Sequence, residues 1–316
     1  MTARAEVRAA RRTVLVALAA NASIAAAKLV AGLISGSSAL LAETAHSVAD
    51  TMNQVFLLYS LKFSEREADA EHPFGYGKER FFWAFLAAVG IFVAGAGFSL
   101  YEGVDRVFGP AQESGPFGVA YAVLAFSLVA EGTSLARAWR QTRREARERR
   151  AAHVEYLRAS RDPTTKTVLF EDSAAVVGLV LALAGVTLHQ ATGNQVYDGL
   201  ASIAIAILLA TIAFALGRDT RRLLIGEAAT PQERQAIMEV LESHPAVDRV
   251  LELLTMALAP DRLLVAVRVD LADGLTAAEI EQASSEIERQ LRERVPTVWQ
   301  VFLDATPRSE VAQPSD

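Results

Sequence analysis

Four polar residues able to ligate a cation or carry a proton lie on one stripe of an otherwise apolar segment. They are Glu43, His46, Asp50 and Asn53, at spacings of 3, 4 and 3. Such spacings put all four on one face of a helix. His46 and Asp50 offer one imidazole and one carboxylate to a single point, a donor pair suited to a borderline divalent cation. A second acidic pair, Glu171 and Asp172, interrupts another apolar run. Supplied from a facing helix, these carboxylates complete an N/O site that fits Zn²⁺ best, with Mn²⁺ and Fe²⁺ as alternatives. The same residues also allow a buried His–Asp hydrogen bond between helices, or a proton relay without metal.

An ionised side chain at the centre of a bilayer costs about 3 kcal/mol or more, so its presence in a span signals function. A crossing helix needs about 20 mostly apolar residues. Six segments qualify, at about 13–34, 38–62, 80–107, 116–138, 167–190 and 196–217. The connections 1–12, 62–80, 137–166 and 218–222 hold 21 Lys and Arg, and those on the other side hold only Arg106. Both termini are therefore expected in the cytoplasm. The apolar stretch behind the N-terminal arginines continues to Ile34, too long for a cleaved signal peptide. With no targeting segment evident, a bacterial inner membrane is the expected location. Abundant Gly and Ala suit close packing of helices in lipid.

Of the 316 residues 52% are hydrophobic, the formal net charge is −6 and cysteine is absent. A disordered chain, a coiled coil and a single soluble domain are excluded, as are thiolate metal sites and disulfides. Residues 219–316 carry 18 acids against 10 bases and read as an acidic soluble domain. Thr230-Pro231-Gln232-Glu233 is a capping box with Pro at the first helical position. Leu251, Leu253 and Thr255, then Leu263 to Leu271, alternate as strands do, with a turn at Ala259-Pro260-Asp261 between them. Thr276 and Glu279 cap a second helix, and Trp299 to Phe302 form a last strand. The fold class is thus an all-α six-helix transmembrane domain, residues 1–218, followed by a cytoplasmic α+β domain of order α-β-β-α-β, residues 219–308. A disordered tail covers 309–316. The exposed sheet leaves room for a homodimer.

Other residues take blander readings. The run Arg137, Arg140, Arg143, Arg144, Arg147, Arg149 and Arg150 extends the fourth span toward lipid headgroups. It lacks the interleaved aromatics of a nucleic-acid surface. Lys28 and Asn21 snorkel or line a polar cavity, and Glu131 and Asp198 are helix-pairing or ion-entrance groups. His153, His189 and His244 read as solvated surface histidines. No phosphate-binding loop exists to support ATP drive. An intramembrane metal-dependent enzyme is a competing class, but HExxH and a Ser/Lys nucleophile arrangement are missing from the sequence.

The sequence resembles the cation diffusion facilitator family of bacterial zinc and iron exporters and eukaryotic zinc transporters. Ser37-Ser-Ala-Leu-Leu-Ala-Glu-Thr-Ala-His46-Ser-Val-Ala-Asp50 and His72-Pro-Phe-Gly-Tyr-Gly-Lys-Glu79 carry the resemblance most specifically. Glu171-Asp-Ser-Ala-Ala-Val-Val-Gly178 and Asp198-Gly-Leu-Ala-Ser202 add to it, and it covers about residues 10–306. The resemblance implies a homodimeric antiporter that exports a divalent metal cation in exchange for protons, with no resident cofactor and a ferredoxin-like cytoplasmic domain. It implies a transport site joining a His/Asp-x-x-x-Asp pair on the second span to another on the fifth.

His46 and Asp50 match the first pair. On the fifth span Asp172 matches the second ligand, whereas the first falls on Val168. Glu171, Glu43 or a water is then expected to complete the shell. The family's loop site uses Asp and two His; Asp69 and His72 match, but Tyr76 stands at the third position. Neutral Tyr is a poor ligand, so this site is expected to be weak or absent. His244 is the only histidine of the C-terminal domain, which argues against zinc-bridged dimerisation there.

Overall fold

Gly36, with φ of 66°, ends the first helix and lets the chain reverse into the second. The computed structural model describes residues 3–110, 115–148, 152–153, 157 and 163–306. Its helices are α1 (Ala3–Ser35), α2 (Ser38–Ser64), α3 (Glu79–Gly90), α4 (Phe98–Phe108), α5 (Phe117–Glu148), α6 (Pro163–Thr192) and α7 (Val196–Ile225). Between α3 and α4, Ile91–Gly97 forms a π-helical stretch, so Glu79–Phe108 is one continuous run. The expected tail at 309–316 and parts of the basic connection between 149 and 162 lie outside the described residues.

Four helical runs among the described residues are long and apolar enough to cross a membrane: Glu79–Phe108, Phe117–Glu148, Thr167–Thr192 and Val196–Ile225. Six were expected. Helix α2 has 27 residues, but Glu43, His46, Asp50 and Asn53 make it more polar than the rest. Helix α1 contributes the shorter apolar stretch Asn21–Ser35.

Two compact units divide the chain, Met1–Phe63 with Glu79–Arg221, and Ser64–Lys78 with Arg222–Asp316. In the first, α5 packs along α6 and α1, and α3 touches α6. Ala31, Ala39, Ala42, Ala49, Ala174 and Ala182 are buried in its core, small side chains that let backbones approach. Helices α4 and α7 come closest at Gly103, where a Cβ would stand 2.8 Å from the carbonyl oxygen of Gly199 and 2.6 Å from Ile203 Cγ1.

The second unit contains α8 (Pro231–Ser243), β1 (Val247–Ala259), β2 (Arg262–Leu271), α9 (Ala277–Arg294) and β3 (Val298–Ala305), in the order read from sequence. Both capping boxes form, at Thr230/Glu233 and Thr276/Glu279. Strands β1 and β2 are antiparallel and β3 runs parallel to β2. Ile237 and Leu241 of α8 and Ile287 and Leu291 of α9 bury one face of the sheet with Leu263, Val265 and Val269. On the other face, Leu254, Ala266 and Phe302 form one cross-strand row. The 64–78 connection packs with this unit: Phe74 meets Phe302 edge-on at 6.4 Å, and a Cβ on Gly77 would lie 2.7 Å from the carbonyl oxygen of Leu258. The outer face is therefore partly covered.

Candidate functional site

On the polar stripe of α2, Glu43, His46 and Asn53 are buried and Asp50 is partly buried. Glu43 is 0% and His46 1% exposed. The Nε2 of His46 lies 3.6 Å from Asp50 Oδ2, as expected for positions i and i+4. Neither ring nitrogen of His46, nor Oδ1 of Asp50, has a hydrogen-bond partner. Unsatisfied polar atoms at this depth are costly, and here they belong to two groups able to bind a cation.

The other two residues of the stripe have partners, although Glu43 Oε1 has none among the described residues. Lys28 of α1 donates to Glu43 Oε2 at 3.2 Å and to Ser47 Oγ at 2.8 Å. Far from snorkelling, Lys28 is fully buried, because an ammonium too deep to reach the interface needs an anion beside it. Gly178 of α6 leaves the space for this carboxylate, since a Cβ there would collide with Glu43 Oε1. Asn53 donates to both oxygens of Glu171, at 2.7 and 2.6 Å, so the stripe joins α2 to α6 through an amide–carboxylate contact.

Asp172 takes a hydrogen bond from Ser134 of α5 at 2.8 Å. Glu131 is near enough for its charge to act on Asp50 and on Asp172, and Glu171 is near enough to Asp50 and Asp172 to feel both. Val168 is 38% exposed. Among the described residues no three His, Cys, Asp or Glu side chains converge closely enough to hold a metal ion. What the fold brings together is the His46–Asp50 pair, with Glu171 and Asp172 across from it on α6, each held by a neutral donor.

At the other end of these helices, Asp198 is fully buried and caps α2 from α7. It accepts from the backbone N–H of Ser38 at 2.6 Å and from the hydroxyls of Ser37 and Ser38 at 2.7 and 3.0 Å. Arg106 approaches it at 4.0 Å and is only 3% exposed. A carboxylate at a helix N-terminus meets orphan N–H groups and the positive end of the dipole. Asp198 is thus a helix-pairing group.

In the 64–78 connection, Asp69 Oδ1 accepts from the N–H groups of Glu71 and His72, and Oδ2 accepts from the Tyr76 hydroxyl at 2.6 Å. The Tyr76 hydroxyl, and then the His72 N–H, hold the Asp69 carboxyl below its ordinary range. The hydrogen bond to Asp69 pushes the Tyr76 phenol up. His72 stacks obliquely on Tyr76 at 4.3 Å, and the Arg66 guanidinium lies 4.2 Å from the Tyr76 ring. Tyr76 thus closes the turn onto Asp69.

Two histidines read as solvated are buried. His189 packs edge-on against Phe117 at 5.3 Å, and His244 ends α8 with Nδ1 accepting from the Ala246 N–H. Sequence reasoning missed Ser134 and the partner of Lys28. The second was within reach: Lys28 and Glu43 stand about equally far from the turn at Gly36, so a helical hairpin sets them level.

The cation efflux transmembrane domain matches residues 14–225, and the cytoplasmic domain of cation efflux proteins matches residues 229–307. The mitochondrial proton-coupled zinc antiporter of Xenopus laevis is 38% identical over 236 residues, 75% of this chain and 42% of that protein. Its Homo sapiens counterpart is 32% identical over 282 residues, 89% of this chain and 49% of that protein. Metal tolerance protein C4 of Arabidopsis thaliana is 34% identical over 260 residues, 82% of this chain and 57% of that protein. The chain spans about half the length of these relatives.

Proposed function

The chain belongs to the cation diffusion facilitator family of cation efflux proteins, and on that premise we propose that it exports a divalent metal cation, Zn²⁺, in exchange for protons. One observation carries the proposal: a buried imidazole, His46, with both ring nitrogens unbonded and a carboxylate, Asp50, at 3.6 Å. A borderline cation supplies what those atoms lack. His46, Asp50 and Asp172 are the donors, with Glu171 and its Asn53 amide beside them. The antiporters named for zinc among the relatives agree with this cargo.

Binding needs a neutral imidazole and ionised carboxylates, so loading the cation expels protons and protonation expels the cation. Each proton moving down a gradient contributes about 1.4 kcal/mol per pH unit. Six spans, cytoplasmic termini, a homodimer joined by the C-terminal domain and a bacterial inner membrane complete the proposal. The membrane itself is open to test, because relatives include mitochondrial proteins. Carboxylates outnumber imidazoles around His46, which makes Mn²⁺ or Fe²⁺ the alternative cargo. Asp69 and His72 have no part in this proposal, since both Asp69 oxygens are engaged within the turn.

The test is uptake of Zn²⁺, Mn²⁺ and Fe²⁺ into proteoliposomes with and without a pH gradient. Zinc uptake that needs the gradient and vanishes in Asp50→Ala supports the proposal. Full uptake by folded Asp50→Ala protein removes this site from the mechanism.

A further inference from the structure

Three donors, His46, Asp50 and Asp172, leave a four-coordinate cation one ligand short. Glu43 is poorly placed to supply it, because Lys28 holds Oε2 and the carboxylate fills the space left by Gly178. Glu171 is poorly placed as well, because Asn53 donates to both of its oxygens. Freeing Glu171 would mean giving up a buried hydrogen bond, and the unbonded Oε1 of Glu43 is turned to the backbone at Gly178.

Glu131 on α5 is different. It stands three residues before Ser134, one turn away on the same helical stripe. The Ser134 hydroxyl bonds Asp172 Oδ2 at 2.8 Å, so this stripe of α5 faces the acidic group of α6. Glu131 is close enough for its charge to act on His46, Asp50 and Asp172 alike. Among the described residues no hydrogen bond or ion pair satisfies it. A carboxylate in a membrane helix is sustained by a partner, and the buried ring of His46 has no hydrogen-bond partner at either nitrogen.

We infer that Glu131 is the fourth donor of the cation site, reaching it from α5. The inference rests on the transport reading given above. The site then contains one imidazole and three carboxylates drawn from three helices. It is richer in oxygen than a set with two imidazoles and correspondingly more tolerant of harder divalent ions.

The experiment is a calorimetric titration of Zn²⁺ into the purified full-length protein in lipid nanodiscs, comparing wild type, Asp50→Ala, Glu131→Gln and Glu171→Gln. Visible spectra of the Co²⁺ forms report the donor set directly. Glu131→Gln is expected to weaken Zn²⁺ binding about 100-fold and to change the Co²⁺ spectrum. Glu171→Gln is expected to weaken binding less than about 10-fold and to leave the spectrum as it is. Glu131→Asp, which keeps the charge but shortens the reach, should fold normally and bind with intermediate affinity. Wild-type affinity and spectrum in Glu131→Gln, with binding lost in Asp50→Ala, would overturn the role of Glu131 and leave the transport site intact. Wild-type binding by Asp50→Ala would overturn both.

Discussion

Lys28 Nζ and Glu43 Oε2 meet 3.2 Å apart with neither side chain exposed to solvent. They lie on opposite arms of the hairpin formed by α1 and α2. The pair engages one oxygen of Glu43, while Glu43 Oε1, both ring nitrogens of His46 and Asp50 Oδ1 have no hydrogen-bond partner among the described residues.

Breaking this pair on one side should be costly, and removing both charges should not. Lys28→Met strands a buried carboxylate and is expected to lose about 3–5 kcal/mol, whereas Lys28→Met with Glu43→Gln should recover most of it. Thermal unfolding in detergent micelles reads the difference. Equal melting points for the single and double variants would show that the charges do not interact.

Asp198 makes three hydrogen bonds to Ser37 and Ser38. Asp198→Ala leaves the first N–H groups of α2 and a nearly buried Arg106 without this anion, at a cost of about 1–3 kcal/mol. Ser37→Ala removes one hydroxyl and should cost less. The ranking of their unfolding midpoints checks the cap; a Ser37→Ala loss equal to that of Asp198→Ala contradicts it.

Gly103 and Gly199 set the closest approach of α4 and α7. Gly103→Leu drives a side chain into Ile203 and the Gly199 carbonyl, and overpacking of this kind costs about 1–3 kcal/mol. Gly132, whose Cβ would meet nothing within 4 Å, is the control. Gly132→Leu should leave the midpoint within a degree or two of wild type, on the order of the small effects of exposed substitutions.

In the C-terminal domain the Arg268 guanidinium donates to Asp304 at 2.9 Å and holds that carboxyl below its ordinary range. A depressed folded-state pKa adds stability above the unfolded value, about 3.9. That contribution disappears as the pH falls through the lower folded value. Arg268→Ala should therefore lower the denaturant midpoint at pH 7 and narrow the gap to wild type near pH 2. Trp299 fluorescence, with Trp83 and Trp139 changed to Phe, follows this domain in the full chain. A gap that widens at low pH reverses the predicted sign.

Periodic features were legible in the sequence. The 3, 4, 3 spacing from Glu43 to Asn53 declares one helical face, and the two capping boxes announce the starts of α8 and α9. Local chemistry decides such features. What escaped depends on partners distant in sequence. Asp198 lies 160 residues from the serine N–H it caps, and Asn53 reaches 118 residues to Glu171. Arg106 reads as a loop cation until the α4–α7 contact encloses it. Phe74 reads as a loop aromatic until Phe302 emerges beside it on the outer face of the sheet. The segment 38–62 reads as a span in sequence, yet α2 is not among the four helical runs of the described residues that are apolar enough to cross a membrane.

Seven residues from Ile91 to Gly97 follow π geometry, and a π turn holds about one residue more than an α turn. Chain length and helical phase are therefore out of step at this point. Deleting one residue within Ile91–Gly97 would return the run to regular α geometry with the phases on either side preserved. The same deletion inside Phe98–Phe108 would turn every later side chain by about 100° and swing Arg106 away from Asp198. The run can absorb a counting error between Ile91 and Gly97, and none beyond it.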